Sequence, residues 1–312
     1  MLACISVNPA IDKRVHMAKL VPGQVNRARS VRAAAGGKAA HVAMALQRLG
    51  AKPLWIGFAG GASGQELLTG LHALGVQTVP VATTNATRSN VEVIDDDGTV
   101  TELLEPGAEV SAEEWQELAA ACESVFRQGR VTAVLSGSLP IGVPSEFYAS
   151  LIERAHQLGN TVFLDTSREP LQLALRAKPD LVKPNREEAQ WLIGGSIKDL
   201  AAAGQATASL ISAGAKSAVI SLGPDGLVWQ PSAADSVYHA QTRAVDCRSA
   251  VGSGDATVAG FAYAAEKGLG VCESLKLAAA CGAANCLADL PGQLSVAEVR
   301  RLESAVQIET LV

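Results

Sequence analysis

The 312-residue sequence contains no run of about 18 apolar residues, so no membrane-spanning helix is expected. It has no large excess of either charge. A net charge of −5 argues against nucleic acid as the main partner, though not against a local basic pocket. The first residues, MLACISVNPAID, carry no basic segment and read directly as a strand, so no signal peptide is expected. No CxxC occurs among the six scattered cysteines (Cys4, Cys122, Cys247, Cys272, Cys281, Cys286). That pattern predicts buried, reduced thiols in a cytoplasmic protein. The five histidines show no HxH or HExxH spacing, so no zinc site is expected. There is no internal repeat and no low-complexity linker.

What remains is an ordinary globular composition, 48% hydrophobic and 18% charged. The length suits one large α/β domain spanning residues 1–312. Strand-like runs fall near 2–7, 54–58, 76–81, 131–136, 161–165, 180–182 and 217–222. Helical periodicity falls near 38–49, 64–74, 111–127, 144–158, 186–193, 198–213, 254–267, 271–287 and 295–304. Such alternation predicts a mostly parallel sheet with helices on both faces. Segments 11–35 and 85–105 break the rhythm, being polar and alternating, with Asp97-Gly98 as a hairpin turn. Together they predict a small β-lid that interrupts the domain.

Five motifs carry candidate chemistry. In AVGSGDATVAGF, Gly252, Ser253 and Gly254 open a helix at Asp255. Unpaired N–H groups there bind anions, and Asp255 reads either as a helix cap or as a base beside a phosphate. In AAAGGKAAHVAMALQRLGA, Gly37 opens a helix with Lys38 in its first turn and His41 one turn on. This is no Walker loop, since Ala39 stands where a Ser or Thr should hold a metal. It is either a glycine turn with a solvated lysine or a cradle for an anionic ligand. In LVKPNREEAQWLIG, Asn185 and Glu188 form a capping box or help hold hydrated Mg²⁺ beside a nucleotide, after Lys183. In AVISLGPDGLVWQ, Ser221, Gly223 and Gly226 form a hairpin or a ligand loop at a strand's carboxyl end. In SGSLPIGVP, Ser136 offers a hydroxyl at the same edge. Arg88, with Lys13 and Arg14, adds positive charge to the lid segments, where an arginine fork can close on a phosphate.

In this order the blocks resemble the PfkB (ribokinase-like) family of sugar kinases over nearly the whole chain, and most of all its 1-phosphofructokinase and tagatose-6-phosphate kinase branch. The likeness rests on VNPAID, GGK with HVAMALQRLGA, TRSNV, SGSLPIGVP, LDTSREPL, LVKPNREE, SLGPDG and VGSGDATVAGF. The resemblance implies that Asp255 is the base and that Gly252, Ser253 and Gly254 form the anion hole. It implies that Asp12, Gly37, Lys38, His41, Arg88 and Ser136 meet the acceptor, with Lys38 and Arg88 on a phosphate it already carries. Lys183, Asn185, Ser221, Gly223 and Gly226 would contact ATP, and Asn185 and Glu188 would organise Mg²⁺ through water. A monovalent-cation requirement stays open. Many members dimerise through the lid.

Two departures stand out. The family's GGKGxN reads GGKAAH here, with His41 for asparagine; imidazole offers a different donor and acceptor geometry and titrates near neutral pH. The family's GAGDS reads GSGDA. The expected activity is ATP- and Mg²⁺-dependent phosphorylation of a phosphosugar, first fructose 1-phosphate. Tagatose 6-phosphate, fructose 6-phosphate and an unphosphorylated sugar or polyol are the alternatives, with a silent sugar-phosphate-binding regulator as the non-enzyme alternative.

Overall fold

A computed structural model describes residues 1–311. The chain opens on β1 (Leu2–Ser6), every residue of which is buried. Leu2 and Cys4 enter one apolar core and Ala3 and Ile5 the other, as a strand covered on both faces requires. Then follow β2 (Ala10–Met17), β3 (Ser30–Gly36), α1 (Lys38–Arg48), β4 (Leu54–Ala59), α2 (Gly61–Ala73) and β5 (Gln77–Ala82). Next come β6 (Arg88–Asp95), β7 (Val100–Leu104), α3 (Ala112–Phe126), β8 (Thr132–Ser136), α4 (Phe147–Gln157) and β9 (Thr161–Asp165). The middle of the chain supplies α5 (Arg168–Leu175), β10 (Leu181–Val182), α6 (Arg186–Ile193), α7 (Leu200–Ser212) and β11 (Ala218–Ser221). The last elements are β12 (Leu227–Gln230), β13 (Tyr238–Gln241), α8 (Ser253–Lys267), α9 (Val271–Cys286), α10 (Val296–Glu303) and β14 (Gln307–Thr310).

Ten strands form the main sheet in the order β14-β13-β12-β11-β10-β9-β8-β1-β4-β5. From β11 to β5 every pairing is parallel; β12, β13 and β14 add an antiparallel margin. Helices α1, α8, α9 and α10 cover one face, and α3, α4 and α7 the other. Close packing of α8 on α9 depends on Gly260, where a Cβ would meet Ala278 Cα at 2.6 Å.

A second sheet stands apart, in the order β3-β2-β6-β7. β2 and β6 pair in parallel, which sets Asp12 beside Asn90 and Arg14 beside Glu92 on one face. Their outer partners are β3 and β7, both antiparallel. The β6–β7 turn closes through Gly98, whose N–H donates to Asp95 O at 3.0 Å and whose φ is 83°. Among the described residues no helix is long and apolar enough to cross a membrane.

Three elements went unread in the sequence: α5, β13 and β14. The expectation of buried cysteines holds for Cys4, Cys122 and Cys281 only; Cys247 and Cys272 are exposed and Cys286 is intermediate. All six are free thiols.

Candidate active site

The carboxyl ends of the parallel strands and the amino ends of two helices meet at one edge. Both helices start on a glycine. Gly37 caps α1 with φ 86° and Gly252 caps α8 with φ 80°, backbone that other residues avoid. Neither start has a side-chain cap. Ser253 N donates to Ala250 O at 3.1 Å and Ala40 N to Gly37 O at 3.0 Å, which leaves the N–H groups of Lys38 and Ala39 on α1 and of Gly254 and Asp255 on α8 for a ligand. By contrast α3 and α6 begin on complete capping boxes.

Asp255 is therefore not the cap of α8. Gly252 is, and Asp255 occupies the third helical position, 5% exposed. Its Oδ2 lies 2.7 Å from His41 Nδ1, and His41 Nε2 lies 2.6 Å from Asp12 Oδ2. Asp12 Oδ1 accepts from Asn90 Nδ2 at 3.0 Å. The Asp12 carboxyl packs on Gly36, where a Cβ would come within 2.2 Å of Cγ. Burial pushes the Asp12 pKa up, but bonds from His41, Asn90 and the Gly37 N–H outweigh it and hold the group below its usual range.

A second charged cluster lies alongside. Asp165 ends β9 with its side chain fully buried, 3.1 Å from Lys38 Nζ and 3.4 Å from Lys183 Nζ. Lys38 Nζ also lies 4.0 Å from Glu188 Oε1. Burial opposes charge on Lys38, yet the fields of Asp165, Asp255 and Glu188 raise its pKa well above the usual lysine value. Burial likewise opposes charge on Asp165, but Lys183 and Lys38 hold it below the usual carboxylate range. Lys183 reaches toward the start of α8, its Nζ 3.1 Å from where a Gly254 Cβ would stand.

Asn185 and Glu188 do form the capping box: Asn185 Oδ1 accepts from Glu188 N, and Glu188 Oε2 from Asn185 N, both at 2.8 Å. Glu188 Oε1 stays outside the box on a partly buried carboxylate. That suits Mg²⁺, which keeps most of its waters and needs no all-protein cage. Asn185 bridges to Ser221 at the end of β11, and Gly223 opens the short turn that Gly226 closes. A Cβ on Gly226 would meet Ala240 O at 2.1 Å. The turn before α8 is held by buried Asn285, which donates to Val251 O at 2.8 Å and to Ser253 Oγ at 3.3 Å. The second sheet is tied to the same region: Arg14 pairs with Glu92 at 2.7 Å and donates to the Asp289 carbonyl, while Ser249 donates to Glu92.

A carbohydrate-kinase family model, the pfkB family, matches residues 4–293. The chain belongs to the PfkB family of carbohydrate kinases. It is 34% identical over 280 residues to a 1-phosphofructokinase of Rhodobacter capsulatus, covering 89% of this chain and 88% of that protein. Among solved structures it resembles phosphofructokinase-2 of Escherichia coli in complex with substrates and products, with a TM-score of 0.91 and 26% identity, covering 97% of this chain and 98% of that one. The potassium complex of the same enzyme matches with a TM-score of 0.90 at the same identity and coverage.

Seen as a PfkB kinase, most residues singled out in the sequence line this one edge. Three behave differently from the sequence reading. Ser136 is 2% exposed and its buried hydroxyl has no hydrogen-bond partner, so it is not the open hydroxyl expected at this edge. The exposed hydroxyl there is Ser138, which accepts from Asn8 Nδ2 at 3.1 Å. Lys38 is turned onto Asp165 and Glu188, on the Lys183 side of the site. Arg88 instead donates to Glu105 O at 2.5 Å and Asn8 O at 3.2 Å. Asp165, Asn90 and Asn285 were not assigned from sequence. An acidic residue closing a buried strand was a usable signal for Asp165; Asn90 and Asn285 needed the fold.

Proposed function

We propose that this PfkB kinase transfers the γ-phosphoryl group of ATP to a hydroxyl of a phosphorylated ketose, with fructose 1-phosphate as first candidate. One observation carries the reading: a buried carboxylate, Asp255, stands inside the first turn of a helix whose N–H groups no side chain caps. Asp255 takes the acceptor's hydroxyl proton as that oxygen bonds to the γ-phosphorus and the bond to the ADP oxygen breaks. The Gly254 and Asp255 N–H groups and the Lys183 ammonium steady the charge on the phosphoryl oxygens. Asp12 holds acceptor hydroxyls. Arg88, at the foot of β6, supplies a guanidinium for the phosphate the acceptor already carries. Lys38 serves the nucleotide side, held by Asp165. Ser221, Gly223 and Gly226 border the nucleotide.

Mg²⁺ would be held beside Glu188 and Asn185 through water, supplying charge neutralisation between the phosphates. Support for a phosphorylated acceptor now rests on Arg88 rather than on the Lys38 and Arg88 pair. The 1-phosphofructokinase likeness points the same way. The second sheet acts as a lid over the acceptor and excludes water. Its exposed Val31 and Leu103 share the face opposite Asp12 and offer it to a second copy of the chain. Six free thiols suit a reducing compartment such as the cytoplasm.

ATP consumption with Mg²⁺ across ketose phosphates and their unphosphorylated parents tests this, with K⁺ and Na⁺ compared. Turnover should be fastest on fructose 1-phosphate and lower by about 100-fold or more on fructose, the loss of a charge-assisted phosphate clamp. Turnover confined to unphosphorylated compounds would overturn the phosphosugar reading; none at all would favour a silent binder.

A further inference from the structure

His41 stands where the family motif has asparagine, and its surroundings are unusual. The ring is 4% exposed and lies between two carboxylates brought from opposite sides of the site. Nδ1 is 2.7 Å from Asp255 Oδ2 and Nε2 is 2.6 Å from Asp12 Oδ2. Ionised carboxylates only accept, so both ring nitrogens must carry hydrogen, which a neutral imidazole cannot provide. We propose that His41 is a standing imidazolium, a positioning residue that spaces the base Asp255 from the acceptor-holding Asp12 and keeps the two from sharing a proton. The inference rests on the kinase reading of Asp255 and Asp12.

The surrounding charges agree. Burial alone would depress the ring's pKa, but the bonds and charges of Asp12 and Asp255 bring it up to about 10. On the Asp12 side stand Asn90, Arg88 and Glu102. On the Asp255 side stands Lys38, with Lys183 at the start of α8. Of the strands packed on α1, β4 and β8 carry no ionisable side chain, β1 carries only the buried Cys4 thiol, and Arg32 of β3 pairs with Asp289.

Two consequences follow. With both nitrogens engaged, the ring has no group left for a sugar hydroxyl, so it does not rank acceptors by contact. Replacing it with a neutral amide leaves two carboxylates facing one another. Like charges resist ionising together, so the pair keeps a proton to higher pH, and a base that shares that proton cannot take another.

The first test needs no turnover. Histidine-labelled, ligand-free wild type is followed by ¹⁵N NMR up to about pH 9, well above the usual histidine titration. One ring should keep both N–H hydrogens throughout. His239 also has acceptors at both nitrogens, Glu309 Oε1 at 2.9 Å and Asp225 O at 2.7 Å. H239Q, on β13 beside the Gly223–Gly226 turn and apart from the Asp12 and Asp255 carboxylates, therefore leaves His41 as the ring to be read. No persistent imidazolium in H239Q would overturn the proposal. The second test is the pH dependence of kcat/KM in H41N and H41Q. The acid limb should move up by about one pH unit or more, with acceptor ranking unchanged. An unmoved limb would overturn the positioning role. If the kinase reading itself fails, turnover is absent while the NMR signature stands.

Discussion

Two charged clusters lie side by side at the sheet edge and are built in opposite senses. In one, a cation, His41, sits between two carboxylates, Asp12 and Asp255. In the other, a carboxylate, Asp165, sits between two cations, Lys38 and Lys183. Each central group is buried, and each is stabilised as an ion only because its flanking partners outweigh desolvation. In the proposed reaction the first cluster would face the acceptor and move a proton, and the second would face the phosphates and offer only fixed charge. The division matches what phosphoryl transfer needs, one proton acceptor and much positioned positive charge.

Breaking an end of the first cluster should have the largest effect. Asp255→Asn should lower kcat by about 10²- to 10⁴-fold with little change in the KM for ATP, measured in steady state. Undiminished turnover would remove Asp255 from the chemistry. Breaking the centre of the second should cost stability first. Asp165→Asn leaves Lys183 buried beside a neutral amide, at about 3 kcal/mol in denaturant unfolding. A loss below about 0.5 kcal/mol, the range of a surface change, would show that the lysines relax away from each other. The clusters should also fail at opposite ends of the pH scale. Folded His41 holds its proton to about 10, so its stabilisation is full below the usual histidine pKa and fades as pH rises through 10. Asp165 is depressed, so its stabilisation is present above the usual aspartate pKa and fades as pH falls through the lowered value. Stability curves of H41N and Asp165→Asn should flatten the alkaline and acid limbs respectively.

The sequence conveyed the first-order plan. Buried parallel strands are short apolar runs, and helices α1, α8 and α9 are long and periodic, so both announce themselves. Strands β13 (YHAQ) and β14 (QIET) are four residues each and lie at the sheet margin, so neither alternation nor hydrophobicity marks them. Helix α5 has eight residues and a proline in its first turn. At the site, residue types were legible but pairings were not. His41 meets a carboxylate 214 residues away, and Lys38 one 127 residues away. A lysine's long stem lets it turn to either side of its helix, which is why Lys38 reads from sequence as a partner of Arg88 and lies on Asp165 instead. Capping chemistry is local, and there the reading of Asn185 with Glu188 was nearly complete.

That same pair gives the smallest predicted effects and the sharpest contrast with the clusters, because cap and metal role can be separated. Asn185→Ala removes the acceptor for the Glu188 N–H and should cost about 1 kcal/mol, while Asn185→Ser should keep most of it. Glu188→Gln keeps an oxygen for the Asn185 N–H but removes the charge beside Lys38, so stability should change by less than about 0.5 kcal/mol. If Oε1 helps hold hydrated Mg²⁺, that variant should still raise the half-saturating Mg²⁺ concentration by about tenfold. An unchanged Mg²⁺ dependence in Glu188→Gln, alongside a destabilised Asn185→Ala, would mean that the pair only caps α6. The metal would then lean on ATP's own phosphates and on water.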